Sequence, residues 1–520
     1  MTQPPPAGST PTGTPTGSSV GSTAVRQQRM LRRPSSLVQG LVGSLLLVVG
    51  SLGVGWLPGS SPLRQSALII PMRFTTAGVV VSVVLLAVGG MLLVRAWLRL
   101  GQQVRDWGSD DARRSVMRAI VLWGVPMYAT IPLFSRDVYS YIAQGLVMVN
   151  GLDPYHDGVS SIEGFFQRGA DQLWSESPPP YGPLFLWIEQ AIVGLTGANL
   201  EWSVVLFRLT SLVGILLCLW AVPRLARLHG IDPTRALWLS VANPLFLTNF
   251  IAAAHNDALM IGLAVAGIYL AAVRRPILGI LLVTASVGVK PITIVFLPFI
   301  GLMWAGRGAS WPRRIGYCAL TAAISLAVLG VAGVLNGLGF GWIGALSTTG
   351  NVWIWYAPVG LLGLMVATAL NAFGLDGWGA GTIVHTIGKL VGFAVVGWLF
   401  FVGNHEKLVR RMTLALAAIV IFNPMIQAWY VVWLLPLFAV TGVRDDWQVR
   451  SLFLITAFLM IYAISDQLDV FPYLNVDLNL ARQLAALIGV GFALYLIFVD
   501  PRTNHLFRKK YWDSSKPLTI

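Results

Sequence analysis

The amino-acid sequence predicts an all-α polytopic membrane protein, and three observations carry that expectation. The 520 residues are 55% hydrophobic and only 11% charged, far too apolar for a soluble fold whose surface must carry many charges. Apolar stretches of about 20 residues, enough to cross a hydrocarbon core of roughly 30 Å, recur from Leu37 to Val499, and about fourteen of them can be counted. The net charge of +14 gathers in the short loops between these stretches, which is the positive-inside pattern and not the signature of a nucleic-acid partner. Cys218 and Cys318 both lie inside apolar helices, so they read as buried thiols and leave no disulfide framework or Cys-x-x-Cys metal cluster.

Taken in order, residues 1–36 are rich in Pro, Gly, Ser and Thr and turn basic from Arg26 to Arg33, which reads as a disordered cytoplasmic tail. The first apolar run is too long and too far from the start for an ordinary cleaved signal, so it is expected to stay as an anchor. The segments Arg95 to Arg118, Arg224 to Arg235, Arg274–Arg275, Arg307 to Arg314, His405 to Arg411, Arg444 to Arg450 and Arg502 to Lys510 are basic and read as cytoplasmic. Both termini then face the cytoplasm, and 500–520 forms a second basic tail. Keeping Lys407, Arg410 and Arg411 inside requires Pro358 to Phe373 to be re-entrant. The body, 37–499, turns outward at Trp56 to Thr76, Phe134 to Trp202, around His255 and Lys290, and at Asn336 to Gly381, Asn423 to Ala428 and Ser465 to Arg482. Within 134–202, Leu184, Trp187, Ile188, Ala191, Ile192 and Leu195 form one helical stripe with Glu189 and Gln190 elsewhere. This pattern predicts a helix lying along the membrane surface.

The polar residues of the outward segments are the candidates for chemistry. Arg136 and Asp137 stand side by side in Ser-Arg-Asp-Val-Tyr-Ser-Tyr where the chain leaves the lipid, either as a local ion pair that caps a helix or as working groups. Gly151-Leu152-Asp153-Pro154-Tyr155 and Pro178-Pro179-Pro180-Tyr181-Gly182-Pro183 are stiff turns. Their aromatic rings can stack on sugars, although Tyr and Trp also populate membrane interfaces. His255-Asn256-Asp257 puts three polar groups at one corner, where unpaired polar groups cost several kcal/mol each. Lys290-Pro291 breaks the positive-inside rule and calls for an anionic partner, unless it snorkels to a headgroup. Trp353, Trp429 and Tyr430 belong to aromatic-rich rims. No phosphate loop, dinucleotide glycine pattern, His-Glu-x-x-His or nucleophile elbow is present. An outward-facing enzyme without a nucleotide site would draw on a lipid-linked donor.

Ser-Arg-Asp-Val-Tyr-Ser-Tyr-Ile-Ala-Gln-Gly from Ser135, followed by Gly-Leu-Asp-Pro-Tyr, resembles the actinobacterial polyprenyl-phosphomannose-dependent α-1,6-mannosyltransferases of the MptA/MptB family, which belong to the GT-C glycosyltransferases. The resemblance continues through Pro-Tyr-Gly-Pro-Leu-Phe-Leu-Trp from Pro180, Trp-Ala-Val-Pro-Arg-Leu-Ala from Trp220, the His-Asn-Asp corner and Val-Lys-Pro from Val289, and it covers most of 37–499. Leu173 to Pro178 and Leu195 to Asn199 look closer to the MptB branch. Where the family often carries His-Asn-Glu this chain has Asp257, a shorter acid, and Lys290 is followed by proline.

The resemblance implies inverting transfer of mannose from a polyprenyl-phosphate-mannose donor to the 6-hydroxyl of a growing α-1,6-mannan glycolipid, the core of lipomannan and lipoarabinomannan, built on phosphatidylinositol-mannoside. The setting implied is the outer side of a bacterial plasma membrane. Asp137 would be the general base, with Asp257 as the alternative. Arg136, Lys290, His255 and Arg208 would face the donor phosphate. Tyr139, Asp153, Tyr155, Tyr181, Asn256, Asp257, Trp353, Trp429 and Tyr430 would meet sugar. No tightly bound metal is expected, although two or three acids on one cavity could take Mg²⁺ or Mn²⁺. The rival class is a polytopic transporter or lipid-linked sugar flippase, for which internal repeats and mid-bilayer polar residues would speak.

Overall fold

The structure, a computed structural model, describes residues 35–104, 106–346, 352–444, 447–470 and 476–508. Among these residues every regular element is helical. The longer helices are, in chain order, α1 Ser36–Val54, α2 Thr76–Gln103, α3 Asp110–Met127, α4 Asp137–Val149, α5 Pro183–Thr196, α6 Leu200–Leu228, α7 Asp257–Ala272 and α8 Pro276–Val289. They continue with α9 Leu297–Ala305, α10 Trp311–Leu335, α11 Pro358–Ala372, α12 Gly377–Phe401, α13 Leu408–Ile421, α14 Ala428–Thr441, α15 Trp447–Asp466 and α16 Leu478–Leu494. Ser35, Thr75, Ser109 and Asn199 each accept a first-turn N–H at the start of α1, α2, α3 and α6. Pro183, Pro276 and Pro358 open α5, α8 and α11, where the missing N–H costs nothing.

Among the described residues, seven helices are long and apolar enough to cross a membrane: α1, α2, α6, α10, α12, α15, and α16 together with its π-helical end, Tyr495–Val499. Six further apolar helical segments have 10–17 residues. The structure thus supports seven full-length spans where the sequence suggests about fourteen. Proline and polar corners break the remaining apolar sequence into shorter pieces. The clearest case is α8, which stops at Lys290 in extended backbone before a 3₁₀ segment, Pro291–Phe296, leads into α9. Pro358 to Phe373, expected to be re-entrant, is occupied by the 15-residue α11, which pairs with α12 as a hairpin.

Helices surrounded by lipid gain little from burying leucine, so close approach of small residues sets where they cross. A Cβ on Gly43 of α1 would stand 2.8 Å from the Gly89 carbonyl oxygen of α2. One on Gly214 of α6 would stand 2.0 Å from the Ala258 oxygen of α7. Cys218 is buried in α6 and Cys318 half-buried in α10, and both are free thiols.

The bundle has two distinct ends. At one, Arg95 binds Asp500 (2.8 Å) and Gln39 (2.6 Å), Arg235 and Arg410 donate to the carbonyls of Val443 and Gly442, and Arg307 pairs with Glu406 at 3.1 Å. At the other, Ser60 donates to the Gln167 carbonyl, Trp56 to that of Pro132 and Asp469 to that of Val54, while Arg73 pairs with Asp469. Residues 500–508, expected as the start of a tail, are folded: Asp500 is buried under Arg95 and Arg450 donates to the Leu506 carbonyl. The expected tails over 1–34 and 509–520 lie outside the described residues, as do 347–351, 445–446 and 471–475.

The segment expected to be an interfacial helix is α5, and apart from Ile192 the residues of its apolar stripe stay on the outer side of the protein. The buried face is Pro183, Phe185, Leu186, Glu189, Ile192 and Val193, with Glu189 fully enclosed and Leu195 81% exposed. Gly145 of α4 lets α5 approach so closely that a Cβ there would stand 2.6 Å from the Glu189 carbonyl oxygen. Packing against α4 decides the rotation, and periodicity alone cannot see that neighbour.

Candidate functional site

Two strained turns are locked together where 134–202 begins. Phe134 sits at φ 65° and Ala254 at φ 59°, left-handed values that non-glycine residues adopt only when the surroundings enforce them. Leu133 donates to the Ala252 carbonyl across the gap. Arg208 of α6, 4% exposed, supplies the enforcement by donating to the carbonyls of Tyr128, Ile251 and Ala252 and to the Thr130 hydroxyl. Arg208 is therefore committed to bracing these turns and does not line the cavity described below, so the phosphate contact expected of it is not made available by this geometry.

The brace aligns the first residues of α4 and α7. Asp137 opens α4, its N–H received by the Ser135 hydroxyl, and its side chain is 25% exposed. His255 Nδ1 lies 3.5 Å from Asp137 Oδ2 and 3.8 Å from Asp257 Oδ2, and the imidazole is fully buried against the Trp429 ring at 4.1 Å. Asp257, at the start of α7 and fully buried, accepts from Lys290 Nζ and from Trp433 Nε1, each at 2.8 Å. His255 thus stands behind Asp137 and Asp257 behind Lys290, both enclosed where contact with phosphate or acceptor was expected. Both nitrogens of His255, both side-chain polar atoms of Asn256 and Asp257 Oδ2 are buried without a hydrogen-bond partner among the described residues. Such groups call for water or a ligand.

The Pro-Tyr-Gly-Pro turn completes the arrangement. Gly182 donates to the Val289 carbonyl, and a Cβ at Gly182 would stand 2.6 Å from the carbonyl oxygens of Val287 and Gly288, so only glycine allows the turn to dock on the end of α8. That docking sets the Tyr181 ring 5.7 Å from Lys290 Nζ, joined by Tyr430 at 5.6 Å and Trp433 at 5.2 Å, an aromatic surround for one ammonium.

A cavity of about 850 Å³ opens beside these groups. Its polar part is lined by Arg136, Asp137, Tyr181, Lys290, Trp429 and Tyr430, all singled out in the sequence. Arg136 also donates to the carbonyls of Gly169 and Ala170 and stacks on Trp56, which anchors the loop. The remaining sequence candidates are elsewhere. The Tyr139 hydroxyl is buried on the Trp56 carbonyl, Asp153 caps its own turn and binds His156, and the Tyr155 hydroxyl donates to the Tyr181 carbonyl. Burial pushes the Tyr155 hydroxyl well above its usual range and keeps it a donor. Trp353 packs on His385 and Trp378 and is not among the residues that line the cavity. The cavity adds residues that the sequence reading passed over: Gln144, Asp171, Trp174, Gln427 and Lys389. Of these, Lys389 had a legible signal, a charge inside an apolar run. Among the described residues, no three His, Cys, Asp or Glu side chains group as a metal-ligand set.

Comparison with known proteins matches two stretches of the chain. Residues 37–306 match a family described as "Alpha-(1->6)-mannopyranosyltransferase, N-terminal domain", and residues 359–492 match the "MptB C-terminal domain". A "Probable alpha-(1->6)-mannopyranosyltransferase" of Mycolicibacterium smegmatis is 34% identical over 77% of this chain and 78% of its own. "Alpha-(1->6)-mannopyranosyltransferase A" of Mycobacterium tuberculosis is 32% identical over 76% of this chain and 78% of its own. "Alpha-(1->6)-mannopyranosyltransferase B" of Corynebacterium glutamicum is 27% identical over 81% of this chain and 75% of its own. No solved structure matches.

Proposed function

The chain belongs to the α-(1→6)-mannopyranosyltransferase family, and on that premise we propose that it moves mannose from a polyprenyl-phosphate-mannose donor to the 6-hydroxyl of an α-1,6-mannan glycolipid. The observation that carries this reading is one cavity with two characters. Asp137 and Lys290 share its polar part, and Ile292, Val295, Phe393, Val396 and Ile419 line an apolar limb suited to an isoprenoid chain. A mannan built on phosphatidylinositol-mannoside or a related glycolipid is the acceptor class we assign.

In this scheme the acceptor O6 attacks the anomeric carbon as the bond from that carbon to the phosphate oxygen breaks, with inversion. The O6 proton passes to Asp137, and the polyprenyl phosphate leaves with the electron pair. An ordinary carboxylate suffices because proton transfer comes late in an oxocarbenium-like transition state. Lys290 and Arg136 neutralise the developing phosphate charge, and Asp257 holds Lys290 in place. Tyr181, Trp429 and Tyr430 supply ring faces for sugar. The scheme uses no tightly bound metal.

We assign the end carrying Arg95, Arg307 and Arg410 to the cytoplasm by the positive-inside rule. Ser35 and Asp500 both lie toward that end, since Arg95 joins Gln39 of α1 to Asp500, so both termini follow. The shorter helices complete the crossings, with the segment that ends in α11 beginning and ending on one side. Asp137 then faces the extracytoplasmic side, where a lipid-linked donor replaces a nucleotide sugar.

The test is transfer from radiolabelled polyprenyl-phosphomannose to a synthetic α-1,6-mannobioside in membranes, comparing the parent with Asp137→Asn at equal expression. A loss of roughly 10² to 10⁴ in rate with retained donor binding is expected. Full activity in the variant overturns Asp137 as base, and no transfer by the parent overturns the donor assignment.

A further inference from the structure

Lys389 is the central residue of α12, a 25-residue apolar helix, about 18 Å from either end at 1.5 Å per residue. A charge inside an apolar helix of a membrane protein is costly beside lipid and needs a partner or a water-filled surface. Lys389 has neither a carboxylate nor a hydrogen-bond acceptor among the described residues, although it lines the cavity that also contains Asp137 and Lys290. The cavity therefore holds two lysines of different kind. Lys290 is already bound to Asp257, whereas Lys389 carries an unmatched positive charge.

What surrounds Lys389 indicates which anion it suits. Lys389, Gly392, Phe393 and Val396 repeat at helical spacing and form the α12 wall of the cavity. Lys389 is the member nearest the Gly377 end, and the apolar residues follow it along the helix. Ile419 and Val420 of α13, with Phe422 that caps its end, make the back wall, and α13 packs against α12 and against Pro291–Phe296. Phe393 and Ile294 line the cavity and are also 64% and 45% exposed on the outer face of the bundle, so the limb is open sideways between them. A cation at the head of an apolar, laterally open groove matches an anionic head on a long hydrocarbon chain.

We propose that Lys389 binds the phosphate of a polyprenyl phosphate lodged in this lateral groove, as a second anion position distinct from Lys290. The proposal deepens the donor assignment above and rests on it for the identity of the lipid. The same chemistry is presented by the sugar-carrying phosphodiester on its way in and by the phosphomonoester on its way out. The monoester, with its greater charge, should depend on Lys389 more strongly.

The experiment uses the purified full-length protein in lipid nanodiscs and compares the parent with Lys389→Met and Lys389→Arg. Three quantities are read: the KM for polyprenyl-phosphomannose, inhibition of transfer by polyprenyl phosphate, and direct binding of polyprenyl phosphate with the phosphate-free polyprenol as control. Lys389→Met should raise the donor KM and the inhibition constant by about tenfold or more, the loss of one charge-assisted hydrogen bond. It should leave kcat and the acceptor KM within about threefold, and Lys389→Arg should restore binding. A larger change in the inhibition constant than in the donor KM assigns the residue to the departing lipid, and the reverse assigns it to the arriving one. Unchanged constants in a Lys389→Met protein that unfolds at the parental temperature overturn the proposal. So does equal weakening for phosphate-free polyprenol, which would make Lys389 a packing residue. If the parent transfers no mannose from this donor but Lys389→Met still loses polyprenyl phosphate binding, the donor assignment fails and the anion site stands.

Discussion

Removing one partner of the Asp257–Lys290 pair is expected to destabilise the protein more than removing both. Asp257 is fully buried and has two donors, Lys290 Nζ and Trp433 Nε1, each at 2.8 Å. Lys290→Met leaves a buried carboxylate with a single neutral donor, which places the cost near the upper end of the range for a broken buried pair, about 5 kcal/mol. Asp257→Asn leaves instead an ammonium that is 12% exposed and faces Trp433, Tyr430 and Tyr181 at 5.2–5.7 Å. Contacts of that kind contribute about 0.5–2 kcal/mol, so this cost should fall near the lower end, about 3 kcal/mol. The double variant has no buried charge, keeps an amide oxygen for Trp433 Nε1, and should be the most stable of the three. Thermal unfolding in detergent, followed by tryptophan fluorescence, should rank the double variant first, Asp257→Asn second and Lys290→Met last. Mannose transfer should be lost in Lys290→Met and in the double variant, where stability recovers but the phosphate contact does not, and lowered in Asp257→Asn, which keeps the ammonium but loses the carboxylate that positions it. Additive destabilisation in the double variant would refute the reasoning.

Three further outcomes follow from the same geometry. His255→Gln, which loosens the support 3.5 Å behind Asp137, should lower kcat roughly tenfold to a hundredfold with the donor KM unchanged, as measured in the radiolabel assay. Arg208→Leu deprives three backbone carbonyls of their donor, at about 1–3 kcal/mol for each buried group. Loss of a monodisperse peak on size exclusion is expected for it. Gly214→Ala sets a methyl 2.0 Å from the Ala258 oxygen and should lower the unfolding temperature by forcing α6 from α7, at a cost of about 1–3 kcal/mol or more. The Ala substitution at Gly194, which meets nothing within 4 Å, is the matched control.

The candidate site was legible in part, and the division follows the physics of each residue. Asp137 and Lys290 stood out because a charge beside lipid needs a reason, and both line the cavity. Arg208 was named as a phosphate contact only through the resemblance, and a buried guanidinium is satisfied equally well by bracing carbonyls. Sequence position cannot distinguish a brace from a phosphate ligand. Tyr139 and Tyr155 share the motif with Asp137, yet their hydroxyls are spent on the Trp56 and Tyr181 carbonyls, since neighbours in a helix or turn point in different directions. Gln427 and Trp174 reach the cavity from segments far apart in the chain, and no local pattern announces them.

The sequence by itself determined that the chain is helical and membrane-embedded and that it carries a family's motifs, because apolar length, loop charge and short motifs are local quantities. Only the tertiary structure decided how many stretches are full-length helices, which face of α5 is buried, and which polar residues share a cavity. Those outcomes rest on close contacts between distant segments, such as Gly145 on Glu189, Gly182 on the end of α8 and Arg208 across two turns. Each is set by the shape of a partner that one-dimensional periodicity does not contain.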